Sequence, residues 1–232
     1  MSFIQSNNEN IFYEYYEVES DITIIYVGGH KTVAVGGRKS EPLKQYCIDN
    51  NISFIRFDYA GWGQSGDDHR EWAVEEWLIN LIDIIKLTDD KVVLVGNSMG
   101  GYLMLMAAMC YPEKVVGLFG IAAGFGEYIQ ETGKNVLRDP SETLEMSFDL
   151  VEGAHIISNV LSLKQPICLF HSMNDSLVPW ATAKNIMSQI QSSDASLHLI
   201  KNGDHSMSRP EDISYMLQFF EQFLRKLPCK LK

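Results

Sequence analysis

The residue with the clearest chemical potential is Ser98, which lies between glycines in the sequence GNSMG at positions 96–100. A run of mostly β-branched apolar residues precedes it at 92–95, and a helix-forming run follows it at 102–110. This strand–turn–helix context is typical of a nucleophile elbow, in which a strained turn projects the serine hydroxyl above a sheet. The GxSxG pattern alone would occur by chance in roughly 8% of chains of this length. Its context therefore carries the prediction that Ser98 is a nucleophile.

A serine hydroxyl attacks well only when a general base removes its proton and an acidic group orients that base. Asp175 follows the apolar run 167–170, and His205 follows the apolar run 197–200. Both come after Ser98, in the order serine, acid, histidine that an elbow of this kind uses. We predict that Ser98, Asp175 and His205 form a catalytic triad.

Three other residues compete for the acid and base positions. His171 also lies at the end of an apolar run, but we expect it to be structural. Asp204 adjoins His205 in the sequence, so its carboxylate cannot easily reach the imidazole. Glu127 follows the run 115–122 and is the alternative acid on an earlier strand. Asp175 is preferred to both carboxylates.

Negative charge that develops on a substrate oxygen needs preorganised donors. We expect one to be the backbone N–H of Met99, at the start of the helix after Ser98. The second should come from the loop Gly28-Gly29-His30, with the His30 N–H as first candidate and Gly29 as the alternative. The residues expected to line the substrate pocket are Gly29, Trp62, Phe125 and Met146. No cluster has metal-ligand spacing and no phosphate-binding glycine motif occurs, so neither a metal nor a cofactor is expected.

The elements that must position these residues read as an α/β protein. Short apolar runs, typical of strands buried on both faces of a parallel sheet, lie at 22–27, 52–57, 92–95, 115–122, 167–170 and 197–200. Amphipathic helical patterns lie between and after them, at 42–50, 72–85, 182–190 and 213–227. Strands that alternate with helices predict a mostly parallel sheet flanked by helices. Residues 11–18 favour an extra edge strand.

One stretch, 125–165, breaks this alternation and shows only helical patterns. About forty residues is too long for a plain loop in a compact domain, so we predict a small helical cap insertion. Residues 1–232 are then one domain, in which the first strands of the fold are expected to be shortened or missing. The uncharged stretch 92–112 contains three glycines and a terminal proline, so it predicts strand, turn and helix rather than a membrane span.

Composition excludes several classes of partner. The formal net charge is −11, which argues against nucleic acid and anionic membranes as partners. The four cysteines form no CxxC pair, and the first residues lack the basic and apolar regions of a signal peptide. We therefore expect a cytoplasmic protein whose partner is a small-molecule or acylated substrate, and the oligomeric state stays open.

Several motifs together resemble the α/β-hydrolase superfamily from about residue 20 to the end. They are RFDYAGWGQSGD at 56–67, LVGNSMGGYLMLMAAMCYPEKVVGL at 94–118, HSMNDSLVPW at 171–180 and GDHSM at 203–207. Within the superfamily the chain is most similar to acyl-protein thioesterases of the palmitoyl-thioesterase and acyl-glucuronide esterase group. Two departures stand out: Ser172 replaces the usual glycine after His171, and Gly28-Gly29-His30 replaces a more common His-Gly or Pro-Gly-Phe sequence.

The resemblance implies an α/β-hydrolase fold and a serine hydrolase that cleaves a carboxylester or thioester of a hydrophobic acyl group through an acyl-serine intermediate. Two alternatives stay open. One is C–C bond hydrolysis of ring-cleavage products, whose enzymes also carry GNSMGG but tend to be longer. The other is a non-catalytic ligand-binding homologue of the same fold. Chain length of the acyl group and the choice between ester and thioester are not decided by the sequence.

Overall fold

A computed structural model describes residues 2–66, 74–124 and 163–227, and its centre is an eight-stranded sheet. The strands are β1 (Ser2–Ser6), β2 (Glu9–Tyr16), β3 (Ile22–Val27), β4 (Ser53–Phe57), β5 (Lys91–Asn97), β6 (Val115–Ile121), β7 (Ile167–Ser172) and β8 (Ala195–Ile200). Their order across the sheet is β1-β2-β4-β3-β5-β6-β7-β8. The pairs β1–β2 and β2–β4 are antiparallel, and every other pair is parallel. The predicted mostly parallel sheet is confirmed.

Helices cover both faces of this sheet. The described helices are α1 (Ser40–Asp49), α2 (Val74–Ile85), α3 (Met99–Cys110), α4 (Trp180–Gln189) and α5 (Pro210–Leu224). Leu81, Leu103 and Ala183 place α2, α3 and α4 in one apolar cluster, whereas Leu43 and Phe220 place α1 and α5 in the other. Strands covered on both faces are mostly apolar at successive positions, which explains the largely apolar runs of β3 to β7, although β4 also buries Arg56.

The N-terminal strands correct two expectations. Residues 9–16 form β2, which lies inside the sheet beside β4, and the edge is β1. The first strands are therefore present, and the expectation that they are shortened or missing is wrong. Asn7 and Asn8 join them with φ of 50° and 65°, the left-handed pair that a two-residue hairpin turn requires. The sequence SFIQS of β1 has only two apolar residues, Phe3 and Ile4, so a search for longer apolar runs does not find it.

Two further expectations concern the middle of the chain. Residues 92–112 form β5, a turn and α3, as predicted, and no helix in the described part of the chain is long and apolar enough to cross a membrane. The predicted cap insertion at 125–165 falls almost wholly on residues 125–162, which lie outside the described residues. The cap, and the single domain over 1–232, stay predictions.

Candidate active site

Ser98 lies between the last residue of β5 and the first residue of α3. Its backbone has φ 52° and ψ −121°, a conformation that costs free energy for a residue with a Cβ. Hydrogen bonds hold it on both sides: its N–H donates to the Ile121 carbonyl at 3.0 Å, and its carbonyl accepts the Gly101 N–H at 2.8 Å. This is the strained elbow that the sequence predicts.

The glycines around Ser98 permit close approach of backbone segments. A Cβ at Gly96 would lie 2.5 Å from the Gly100 carbonyl oxygen. A Cβ at Gly100 would lie 2.0 Å from the Val27 carbonyl oxygen at the end of β3. Side chains at these positions would push α3 away from the sheet, so the glycines fix the position from which α3 begins.

The structure brings together the three residues predicted as a triad. The Ser98 Oγ lies 3.0 Å from His205 Nε2, and His205 Nδ1 lies 2.8 Å from Asp175 Oδ2. Asp175 and His205 follow β7 and β8, whose carboxyl ends meet the end of β5 at the same edge of the sheet. Since a carboxylate only accepts, Nδ1 carries the proton, and Nε2 is free to accept from the serine hydroxyl.

The Asp175 carboxylate is fully buried and accepts from several donors. Its Oδ1 accepts the backbone N–H groups of Leu177 and Val178, both at 2.9 Å. Burial alone would raise the pKa of Asp175, but hydrogen bonds from His171, His205 and these two backbone groups outweigh it and hold the pKa well below its ordinary value. The group that orients His205 is therefore a stable anion.

His171 makes a contact that the sequence did not predict. It is buried, and its Nε2 lies 2.9 Å from the Val178 carbonyl and 3.2 Å from Asp175 Oδ2. Both neighbours are acceptors, so Nε2 carries the proton and donates to them. The structural role expected for His171 thus includes direct support of the carboxylate. Of the two carboxylates that compete with Asp175, Asp204 accepts the Met207 N–H at 3.0 Å, and Glu127 lies outside the described residues.

The second structural feature of the site is the glycine loop, residues 28–32, which follows β3. A Cβ at Gly29 would lie 2.9 Å from Asn97 Nδ2 and 3.1 Å from the Ser98 Cβ, so the loop backbone lies directly against the serine. The Gly29 carbonyl accepts the Thr32 N–H at 3.1 Å, which closes a turn. Met99 begins α3, so its N–H has no acceptor within the helix. The choice between His30 and Gly29 as a second donor stays a prediction.

Aromatic rings pack beside the glycine loop. The His30 ring lies edge-on to the Trp62 ring, with 5.2 Å between their centroids, and the centroids of Trp62 and Trp77 are 4.3 Å apart. Burial, together with the nearby Lys31 charge, lowers the pKa of His30, so its imidazole is neutral near pH 7. Trp62 thus packs against the residue that follows Gly29, whereas the other two predicted pocket residues, Phe125 and Met146, lie outside the described residues.

The sequence DYAGWGQS at 58–65 fastens the segment after β3. Asp58 is buried, and its Oδ1 accepts the Ala34 N–H at 2.6 Å while its Oδ2 accepts the Gln64 N–H at 2.8 Å. The Ser65 hydroxyl donates to the Asp58 carbonyl at 2.6 Å. From the sequence this motif indicates only a family resemblance, whereas in the structure it also holds the segment after β3. In the described part of the chain, no three His, Cys, Asp or Glu side chains come together to hold a metal ion.

Comparison with known proteins identifies relatives over most of the chain. A family model described as "Alpha/beta hydrolase family" matches residues 38–154. Human "Palmitoyl-protein thioesterase ABHD10, mitochondrial" is 30% identical over 226 residues, covering 88% of this chain and 73% of that protein. The mouse protein of the same name is 31% identical over 225 residues, covering 88% of this chain and 75% of its own length.

Solved structures agree with this relationship. Mouse alpha/beta hydrolase domain-containing protein 10 superposes with a TM-score of 0.79 at 28% identity, covering 97% of this chain and 98% of that one. Est1E from Butyrivibrio proteoclasticus, with ferulic acid bound, has a TM-score of 0.76 at 16% identity, covering 97% of this chain and 100% of that one. The second likeness shows the fold alone. The chain is therefore a hydrolase that belongs to the alpha/beta hydrolase family.

Proposed function

We propose that this protein is a serine hydrolase that cleaves a carboxylester or thioester of a hydrophobic acyl group through an acyl-serine intermediate. The observation that carries the proposal is the continuous hydrogen-bond chain from Ser98 through His205 to Asp175, with distances of 3.0 and 2.8 Å. Those are the distances at which a base can remove the proton of an attacking hydroxyl.

In the acylation half-reaction, Ser98 Oγ attacks the carbonyl carbon while its proton passes to His205 Nε2. The tetrahedral intermediate carries its negative charge on the former carbonyl oxygen. Backbone N–H groups of Met99 and of His30 or Gly29 are the proposed donors to that oxygen. His205 then gives its proton to the departing alkoxide or thiolate, and the acyl group stays on Ser98.

Deacylation repeats the same proton transfers with water as the nucleophile. His205 removes a proton from the water as the oxygen attacks the acyl carbon, and returns it to Ser98 Oγ as the acid leaves. Asp175 keeps the imidazole in one tautomer and stabilises its charged form in both halves. Its lowered pKa supports this role, because the carboxylate stays ionised across the working pH range.

The acyl preference rests on the relatives and on the pocket. Curated relatives carry the name palmitoyl-protein thioesterase, which favours a long acyl chain and a thiol leaving group here. Trp62 packs against His30 of the glycine loop, and we propose that it forms part of the apolar wall of the acyl pocket. Phe125 and Met146, together with a helical cap over 125–165, would complete the pocket.

The triad is tested by Ser98→Ala, with Ser206→Ala as the matched control on an exposed serine next to His205. Ser98→Ala is expected to lower kcat for p-nitrophenyl esters by about 10⁴- to 10⁶-fold, whereas Ser206→Ala stays within about 3-fold of the wild type. Both variants should unfold at the wild-type temperature. A well-folded Ser98→Ala protein that keeps its activity would contradict the proposal.

Substrate class is tested with a panel of acetyl, butyryl, octanoyl and palmitoyl esters and the matching thioesters. We expect kcat/KM to rise with chain length, because each buried CH₂ contributes about 0.8 kcal/mol. A vinylogous diketone hydrolysed faster than any ester would assign the protein to C–C bond hydrolysis instead. A protein that binds these compounds and turns over none of them would be a ligand-binding homologue.

The proposed compartment is the cytoplasm, although the curated relatives are named mitochondrial. Cys47, Cys110 and Cys168 are free thiols, which fits a reducing compartment. Burial raises the pKa of the Cys110 and Cys168 thiols to about 11, so they stay protonated and poorly reactive. Fractionation of the source cells tests this, and recovery with an organelle fraction would contradict it.

A further inference from the structure

Tyr59 is bound to the backbone of the glycine loop. Its hydroxyl donates to the Gly28 carbonyl at 3.0 Å, and the side chain is 1% exposed. The ring makes edge-on contacts with the rings of Phe57 and Trp62, with centroid distances of 4.9 and 5.5 Å. Burial raises the pKa of Tyr59 well above its ordinary value, so the hydroxyl keeps its proton and donates at any working pH. The mechanism proposed above assigns this residue no role.

The bond to Gly28 determines where the next backbone N–H points. A carbonyl and the following N–H belong to one planar unit and point in opposite directions across a trans peptide. Fixing the Gly28 oxygen therefore fixes the direction of the Gly29 N–H. The turn bond from the Thr32 N–H to the Gly29 carbonyl does the same for the His30 N–H. The two candidate oxyanion donors are thus oriented by two different hydrogen bonds.

The loop needs such a restraint because its first two residues are glycines. Glycine occupies many backbone conformations, so the Gly28–Gly29 peptide can rotate when nothing holds its carbonyl. A Cβ at Gly29 would lie 3.1 Å from the Ser98 Cβ, so this peptide lies next to the nucleophile. A rotation there would turn the Gly29 N–H, and shift the turn that carries His30, relative to Ser98.

We propose that Tyr59 is a positioning residue for the oxyanion hole: its hydroxyl holds the Gly28–Gly29 peptide so that the loop N–H groups face the oxygen of the tetrahedral intermediate. This rests on the proposed function, because it requires Ser98 to attack a carbonyl. Tyr59 itself touches neither substrate nor the reacting atoms. Its effect is confined to the transition state, where the oxygen becomes an anion.

The test compares Tyr59→Phe with Tyr26→Phe. Both variants remove one hydroxyl from a buried ring, and Tyr26 lies on β3, which leads into the same loop. The hydroxyl that donates to the Gly28 carbonyl belongs to Tyr59, not to Tyr26. Tyr59→Phe is expected to lower kcat about 10-fold with little change in KM, and Tyr26→Phe to change kcat less than about 2-fold.

Each rate is normalised to the number of serines that a fluorophosphonate labels, so a partly unfolded variant still gives kcat per active site. The labelling rate should also fall about 10-fold in Tyr59→Phe, because the phosphonyl oxygen occupies the same hole. A purely structural role would lower the labelled fraction and leave both rates per site unchanged. That result, or equal rates in the two variants, would overturn the inference.

The same experiment separates this inference from the proposed function. A wild-type protein that the fluorophosphonate does not label would contradict the proposed serine mechanism itself. A labelled wild type with a Tyr59→Phe variant as fast as Tyr26→Phe would contradict only the role of Tyr59.

Discussion

The acid–base half of the site, Asp175 and His205, and the oxyanion half, the glycine loop with Met99, are held in place by different kinds of contact. In the first, a buried carboxylate accepts from His205, from His171 and from two backbone N–H groups. In the second, a neutral phenol and a backbone turn restrain the loop, whose glycine lies in close contact with Ser98.

This difference determines what each half is sensitive to. Hydrogen bonds to a charged group contribute about 1.5–3 kcal/mol, against about 0.5–1.5 kcal/mol for neutral ones. The acid–base half should therefore respond most to the removal of charge. The oxyanion half should respond most to a change of shape, since a single added methyl group has no free space beside Ser98. Matched variants in each half can distinguish sensitivity to charge from sensitivity to shape.

Among the variants that compare the two halves, the largest effect is expected for Asp175→Asn. The amide keeps the shape of the carboxylate but favours the wrong tautomer of His205 and cannot stabilise its charged form, so kcat should fall about 10⁴-fold. Asp204→Asn, which neutralises the carboxylate next to His205 in the sequence, is the control and should stay within about 3-fold. Steady-state kinetics on one ester measures both. Equal losses of kcat in the two variants would show that the rate depends on nearby negative charge in general and not on the carboxylate that orients His205.

A smaller effect is expected when the shape of the oxyanion half is changed. In Gly29→Ala the new Cβ would lie 3.1 Å from the Ser98 Cβ and 3.2 Å from the Asn97 carbonyl oxygen, so the loop and the elbow must separate by a few tenths of an ångström. The adjacent Gly28→Ala meets nothing closer than 3.7 Å and is the matched control. We expect kcat to fall about 10- to 100-fold in Gly29→Ala and by less than about 3-fold in Gly28→Ala. Equal rates in the two variants would remove the glycine loop from the oxyanion site.

The smallest effect concerns Lys39, which connects the two halves. It lies just before α1, on the segment that continues from the glycine loop, and its Nζ donates to the Ser206 carbonyl at 2.6 Å, one residue after His205. Losing this bond should loosen the segment after β8 that carries His205, so Lys39→Met is expected to lower kcat about 3- to 10-fold at pH 7. Lys39→Arg keeps a charged donor and should retain most of the rate.

Deprotonation of the same lysine is expected to lower kcat at alkaline pH. Burial lowers the pKa of Lys39 to about 8, with the nearby Arg38 charge acting in the same direction and Asp204 and Asp212 opposing it. Above that pH the amine is neutral and donates a weaker bond. Because its folded pKa lies below the unfolded value, this group makes the fold more stable as pH rises between about 8 and 10.5, so the loss of rate is not unfolding. If kcat of Lys39→Met falls above about pH 8 as it does in the wild type, Lys39 is not the group responsible.

Much of this architecture could be predicted from the sequence, for identifiable reasons. The apolar runs of β3 to β7 are buried on both faces and stand out from their surroundings. The elbow and the strand ends place Ser98, Asp175 and His205 by topology alone, because parallel strands end at one edge of the sheet. The edge strand β1 is not evident from the sequence, because SFIQS has only two apolar residues between polar ones and is mostly exposed.

The contacts that support the site could not be predicted, because they join residues far apart in the chain. Tyr59 reaches Gly28 across 31 positions, and Lys39 reaches Ser206 across 167. The family motif at 58–65 was the one available signal for the first of these. For the second, a lysine near the start of a helix has no pattern that would identify its partner.

The central claim, that Ser98 carries an acyl group during turnover, is tested most directly by trapping that intermediate. The protein is mixed with an excess of a p-nitrophenyl ester, quenched in acid within the first turnover, and measured by intact and peptide mass spectrometry. We predict a mass increase equal to the acyl group, on the peptide that contains Ser98, in the wild type and not in Ser98→Ala. Turnover that continues with no acylated Ser98 at any time, or with the acyl group on another residue, would contradict the account.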